Sequence, residues 1–439
     1  MDRIIKTLDA FPEISAWRVK KVNTTRYQMF VIGSSLDTIR KVVTESYQLT
    51  VYCDHADLRG ATDLVVYEHE LDRLEQKLRK AVFIARRVGA RRFELPSPSH
   101  LPFVEAFDPT LLGDVQDILF VKLADRLIEA VAQQPSVTLS SSEYFLDVIH
   151  TRLINSRGID ATMGSTEIFF DGILLSESDG RRVEVHFEPR ARRLQDLPVE
   201  EIVRQYAGYA RDSLRAGLPA SGTQPVIICG DALTHIFSTL IHHTSAASHY
   251  RQISSFRRGH SIYPGGRPQG EPLTLISNAF VPFGLRTAPC DGDGVAGQRV
   301  ELIREGRFER PWSTKQYADY LEQAPTGSVA NLEIPVGRNP LEALRRDGPN
   351  LEVAAFSAMM PDPVSGDFAA EIKLGYEHRG GISRPVKGGS ISGNILTGFQ
   401  HAYFSTEGRF GNYGLTIDQF GSYIGPAAIR FEGFQVSGG

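Results

Sequence analysis

The residues best suited to chemistry cluster in Pro225–Arg258, which carries His235, His242, His243 and His249, four of the chain's 12 histidines. Histidines gathered on a helix are where a metallopeptidase would hold its ion. That chemistry has spacing rules. Two ligands on one helix sit about one turn apart, as in HExxH, so that both imidazoles reach one metal. His235, His242 and His249 recur at intervals of seven, which separates neighbours by roughly 10 Å along a continuous axis. His242 and His243 are adjacent and point about 100° apart. His243 and His249 can meet at one ion only if the helix breaks between them. Bound water also needs a carboxylate nearby to take its proton. Thr244 follows His243, and no Asp or Glu occurs between Asp231 and Glu271. These histidines therefore read as the lining of a cleft or interface, with no catalytic and no metal-binding residue assigned on this chain.

Other constellations are weaker. His69-Glu70 opens like HExxH, but Arg73 and Leu74 stand where the second histidine belongs. Gly292-Asp293-Gly294 sits in a CDGDG run that lacks the periodic ligands and closing glutamate of a calcium loop. It reads as a tight turn. Cys290 precedes an acidic neighbour, which raises a thiol pKa rather than activating it. Arg257-Arg258-Gly259 could clamp a carboxylate, although a surface turn is the simpler reading. The expected cleft-lining set is His242, His243, His249, Arg257 and Arg258. No convincing GxSxG, P-loop or GxGxxG follows a strand.

The elements that must position these residues divide the chain. Trp17–Val22, Tyr27–Ile32, Tyr47–Cys53, Asp63–Tyr67, Glu143–Ile149, Glu167–Ser176 and Arg181–Phe187 read as strands. Ser35–Val43 reads as a short helix. Longer amphipathic helices are expected at Leu71–Val88, stopped by Gly89, at Asp114–Gln133 and at Val199–Ala216. The linker Gly217–Gln224 marks the best boundary. Beyond Pro225 glycine becomes dense, and helices are expected only at Asp231–His243, Thr314–Glu322 and Pro340–Asp347. Leu233, Ile236, Phe237, Leu240, Ile241 and Thr244 form the core face of the first. The expected class is α+β. An N-terminal α/β domain (1–216), with a mainly antiparallel sheet and long helices, precedes a β-rich domain (225–439).

Length alone suggests two domains at 439 residues. A net charge of −4 supplies no field for nucleic acid. The basic run Lys77, Arg79, Lys80, Arg86, Arg87, Arg91, Arg92 reads as a solvated face balanced by Asp72 and Glu75, without aromatic interleaving. Three scattered cysteines suit a reducing cytoplasm. No window reaches the ~18 apolar residues of a membrane span.

Several segments resemble the TldD/PmbA family, and specifically its TldE (PmbA) branch. SYQLTVYCDHADLRGATDLVVYEHELDRLEQKLRKAVFIAR is similar to the family's opening pattern, and INSRGIDAT at Ile154–Thr162 to its N-S/T-x-G turn. Tyr209–Leu233 is similar to the stretch leading into its central helix. Ser365–Ile395, with GDF, RPVKGG and SGN, is the strongest match, and PAAIRFEGFQVSGG ends the chain as this branch ends. The resemblance covers roughly Ser46 to the C-terminus. It implies a zinc metallopeptidase lineage whose active members carry HExxxH on a helix and a late cysteine ligand. Here His243 matches the first ligand, Thr244 replaces the glutamate, and Ala247 or Ser248 stands where the second histidine belongs. His249 is offset by one, and Asn412–Pro426 holds no cysteine. The resemblance thus implies a subunit without its own metal, paired with a TldD-type partner that carries zinc. Their shared cleft would cut peptides or peptide-like amides of biosynthetic intermediates. Two alternatives stay open: a stand-alone amide hydrolase with a rearranged metal site on His243 and His249, or a non-enzymatic homodimeric binding module.

Overall fold

The computed structural model describes residues 1–112, 116–416 and 419–438. The fold is α+β, with three sheets. In the first, neighbouring strands run in the order Ala90–Arg91, Leu58–Tyr67, Ser35–His55, Ala16–Ile32, Val137–Asn155, Asp160–Ser178, Arg181–Phe187. All these pairings are antiparallel. Alternation explains why these strands form. In Ala16–Ile32, Trp17, Val19, Tyr27, Met29 and Val31 are buried on one face. That face takes the N-terminal helices. Gln116–Ala132 and Val199–Arg215 cover one end, while Asp2–Asp9 and Leu74–Ala85 cover the other.

Ser35–Val43 is strand, not helix. Apolar Leu36, Ile39, Val42 and Val43 follow helical spacing, but β-branched Thr38, Ile39, Val42, Val43 and Thr44 favour the pleat. Gly33 sets the choice. It adopts φ 59° in a two-residue turn between the paired Ile32 and Ser35. The resulting strand, Ser35–His55, runs 21 residues. Leu58–Tyr67 pairs with it only from Ser46 to His55, so residues 35–45 form an open sheet edge.

The helix expected at Leu71–Val88 starts as a 3-10 segment and is α-helical over Leu74–Ala85, ending four residues before Gly89. Its end abuts Gly60, where a Cβ would lie 1.7 Å from the Ala85 carbonyl oxygen. Its basic face is partly neutralised, with Lys77 bound to Glu70 at 2.7 Å. The next helix is seen as Gln116–Ala132; its expected start, Asp114, lies outside the described residues. Val199–Arg215, Lys315–Tyr320 and Leu341–Arg346 form where helices were expected. The short helices Asp2–Asp9 and Ile395–Gln400 were not anticipated, although Ile4, Ile5 and Leu8 give the first a clear apolar stripe.

The other two sheets belong to the β-rich half. One includes Leu275–Asn278, Asn331–Glu333, Gln419–Pro426 and, at its edge, Gly408–Thr416. The other starts at Gly222, inside the segment expected to be linker, and closes on itself where Asn350–Met359 pairs with both Gly222–Cys229 and Asp367–Arg379. Leu233, Ile236, Phe237 and Leu240 are wholly buried in the core between these sheets. The CDGDG run is a tight turn: the Asp291 carboxylate accepts from the backbone N–H groups of Asp293, Gly294 and Val295. Cys290 packs against Leu153 of the first sheet, and burial, then Asp291, pushes its thiol up to about 11.

Candidate functional site

A cavity of about 980 Å³ lies between the two halves. One wall is the histidine segment. It runs as a 3-10 turn over Gly230–Phe237 and an α-helix over Ser238–His243. Leu233, Ile236, Phe237 and Leu240 turn inward, so Asp231, His235, Ser238 and His242 face the cavity. Opposite, the helix Val199–Arg215 presents Glu201, Ile202, Gln205 and Tyr206.

Asp231 fastens the walls together. Tyr206 Oη donates to its Oδ2 at 2.7 Å, and Arg409 Nη2 donates to its Oδ1 at 2.8 Å. These three residues come from the N-terminal helix, the 3-10 turn and the edge strand Gly408–Thr416. Gly230, at φ 61°, allows the sharp turn that brings Asp231 there.

The helix breaks at Thr244. Its Oγ1 donates to the Leu240 and Ile241 carbonyls, and Ser245 then caps a new helix, Ala246–Tyr250. Trp312 holds the break. Its N–H donates to the Thr244 carbonyl at 3.0 Å, its indole N–H donates to Ile241 at 3.0 Å, and its carbonyl accepts from Ala246. The indole lines the cavity.

The five residues expected to line a cleft separate. His242 faces the cavity. His243 does not: it is fully buried, with its ring stacked 4.9 Å from Phe256. Its Nδ1 accepts from the Ser255 N–H at 3.1 Å, which places the proton on Nε2, and Nε2 donates to the Val364 carbonyl at 2.9 Å. His249 lies parallel to Phe308, with ring centres 4.9 Å apart, outside the cavity lining. Arg257 and Arg258 sit on an exposed turn away from the cavity. His235 takes their place, and its interval of seven from His242 was the available signal. Tyr206, Arg251 and Trp312 also line the cavity and had none.

Burial lowers the pKa of His235, His242, His243 and His249, favouring neutral rings. For His242, Asp362 opposes that shift and Arg251 adds to it. Neutral imidazoles can ligate metal, but these residues do not fit a zinc site. Both nitrogens of His243 are committed to the backbone, Thr244 is folded onto its own helix, and Ser248 is buried. Among the described residues, the group of ligating side chains able to share an ion is Asp171, His186 and Glu188, all within 4.8 Å of one another. It sits on the first sheet, with Glu188 reaching the cavity rim. There Asp171 and His186 already bond each other.

Residues 221–438 match the family described as the PmbA/TldA metallopeptidase C-terminal domain. A 250-residue stretch, 55% of this chain and 54% of its relative, is 24% identical to the metalloprotease PmbA of Escherichia coli O157:H7. The chain belongs to the TldD/PmbA family. An uncharacterized protein of Methanocaldococcus jannaschii is 25% identical over 327 residues, 70% of this chain and 73% of that protein. The fold is TldE-like: the crystal structure of TldE from Thermococcus kodakarensis superposes with a TM-score of 0.82 at 17% identity, over 100% of both chains. A Thermotoga maritima protein of the same fold gives 0.80 at 17% identity over 99% of each chain. Within this TldD/PmbA chain, the matched region supplies the histidine wall, whereas Glu201 and Tyr206 lie before it.

Proposed function

We propose that this chain is the companion subunit of a two-subunit metallopeptidase. It contributes one side of a peptide-binding cleft, and a TldD-type partner brings zinc and the proton-accepting glutamate. The observation that carries this reading is the state of His243. At the position where the family resemblance puts a first ligand, the ring is a buried strut with both nitrogens occupied. No carboxylate adjoins it to activate water, because Thr244 stands there. The inter-domain cavity nevertheless persists, with polar and apolar walls suited to peptides or peptide-like amides. Among the described residues no helix is long and apolar enough to cross a membrane. We place the complex in the cytoplasm.

Co-expression tests the proposal. The chain should co-purify with a TldD-type protein, and the pair should hydrolyse peptides while each subunit alone does not. Zinc should be found in the pair and not in this chain. Peptide hydrolysis by the chain alone, with stoichiometric zinc, would overturn the reading.

A further inference from the structure

The cavity's charged residues are unequally partnered. Arg190 binds Glu167 at 2.8 Å and Arg409 binds Asp231 at 2.8 Å. Asp196 is bound by Arg193. Three charges remain without an ion pair among the described residues: Glu188 and Glu201 from the N-terminal half, and Arg251 from the β-rich half. Arg251 is nevertheless positioned. Its Nη2 donates to Tyr317 Oη at 2.8 Å, and the guanidinium lies 5.7 Å from the Tyr317 ring centre. That leaves most of its donor fork unused. His242, on the same wall, has a buried Nε2 with no hydrogen-bond partner. Apolar lining is supplied by Ile241, Trp312 and Met359.

We infer that the cavity binds a short peptide by its two charged ends, with the terminal carboxylate on Arg251 and His242 and the terminal ammonium on Glu188 and Glu201. A guanidinium fork matches a carboxylate in two parallel hydrogen bonds. Two carboxylates supplied by the opposing half suit a primary ammonium. This arrangement fixes the direction in which a peptide lies, using contacts that every unblocked peptide possesses and no particular side chain. The apolar surface around Trp312 then takes side chains without strict selection. The inference rests on the proposed reading of the cleft as a peptide site, and it adds the class of ligand: free-ended oligopeptides, including the products of internal cleavage.

Trp312 provides the readout, because the chain's other tryptophan, Trp17, is buried in the N-terminal half. Fluorescence of the full chain is titrated with trialanine, trialaninamide and N-acetyl-trialanine. Trialanine should bind at least about tenfold more tightly than either blocked peptide, a difference of about 1.4 kcal/mol. Arg251→Gln should weaken trialanine by a similar factor and leave trialaninamide unchanged. Glu201→Gln should weaken trialanine and leave the acetylated peptide unchanged. Equal binding of all three peptides, binding of none, or equal losses for free and amidated peptides in Arg251→Gln overturns the inference. Circular dichroism of each variant separates misfolding from loss of the anchor, and the Glu201→Gln arm stands if the arginine variant fails to fold. Indifference to the peptide termini would leave the companion-subunit reading intact. Hydrolysis by the isolated chain would sink that reading and leave the anchors in place.

Discussion

At the scale of single residues, His243 separates a strut from a ligand. His243→Ala would strand the Val364 carbonyl and the Ser255 N–H and leave a void against Phe256. A loss of about 2–4 kcal/mol in denaturant unfolding is expected. Thr244→Glu should not restore a catalytic carboxylate. The new side chain would enter a fully buried site whose hydroxyl now bonds its own helix, so destabilisation of at least about 2 kcal/mol is the expected readout. A Thr244→Glu protein that stays stable and gains peptidase activity would contradict the assignment. His242 and His243 show what sequence can and cannot say. Adjacent positions on a helix must point apart, but nothing local says which of them meets solvent. Only the packing of Phe256 and the loop around Val364 decides it.

Among the elements, Glu352 ties the helix Leu341–Arg346 to the closed sheet. Arg345 grips its carboxylate at 2.6 and 2.7 Å, and His378 Nε2 approaches at 2.9 Å. Burial alone would raise this carboxyl's pKa, yet Arg345 and His378 hold it down to about 2. A folded pKa below the unfolded value contributes stability that is present above about pH 4.3 and lost as pH falls toward 2. Wild-type protein should lose on the order of 3 kcal/mol from this group over that window. Glu352→Gln should be less stable at neutral pH and show a flatter decline, measured by urea unfolding across pH 2–6.

Elements with a single clear period were legible in the sequence, such as Glu167–Ser176, the alternating part of the longer strand Asp160–Ser178, and the helix Val199–Arg215. Ser35–Val43 was not, because its apolar spacing is helical while its β-branched residues and the partner strand across a turn favour the sheet. The helix break at Thr244 hides in the same way. Without it, His249 would follow His242 into the cavity. Tyr206, Asp231 and Arg409 meet only in the folded chain, from positions up to 203 residues apart, so no spacing along the sequence announces them.

For the molecule as a whole, Arg192 joins the halves. It is buried, and its guanidinium donates to the carbonyls of Ala106, Gly284 and Leu285 at 3.0, 2.8 and 2.6 Å. Burial lowers its pKa to about 10, which leaves it charged at neutral pH. Arg192→Ala removes the donors and leaves those acceptors buried. The expected cost is on the order of 3 kcal/mol. Because the acceptors span both halves, calorimetry should show one unfolding transition in the wild type and two in the variant. A single transition in the variant would show that other contacts suffice.

The open edge along residues 35–45 carries a different implication. Unsatisfied amides in extended backbone invite any passing chain to add a strand, and Val42 and Val43 are exposed beside them. Asp37, Arg40, Lys41 and Glu45 punctuate that stretch with charge. Colloidal behaviour at high concentration thus depends on a few surface ionic groups far from any chemistry, and neutralising Arg40 and Lys41 together would turn a well-behaved protein into one that self-associates along its rim.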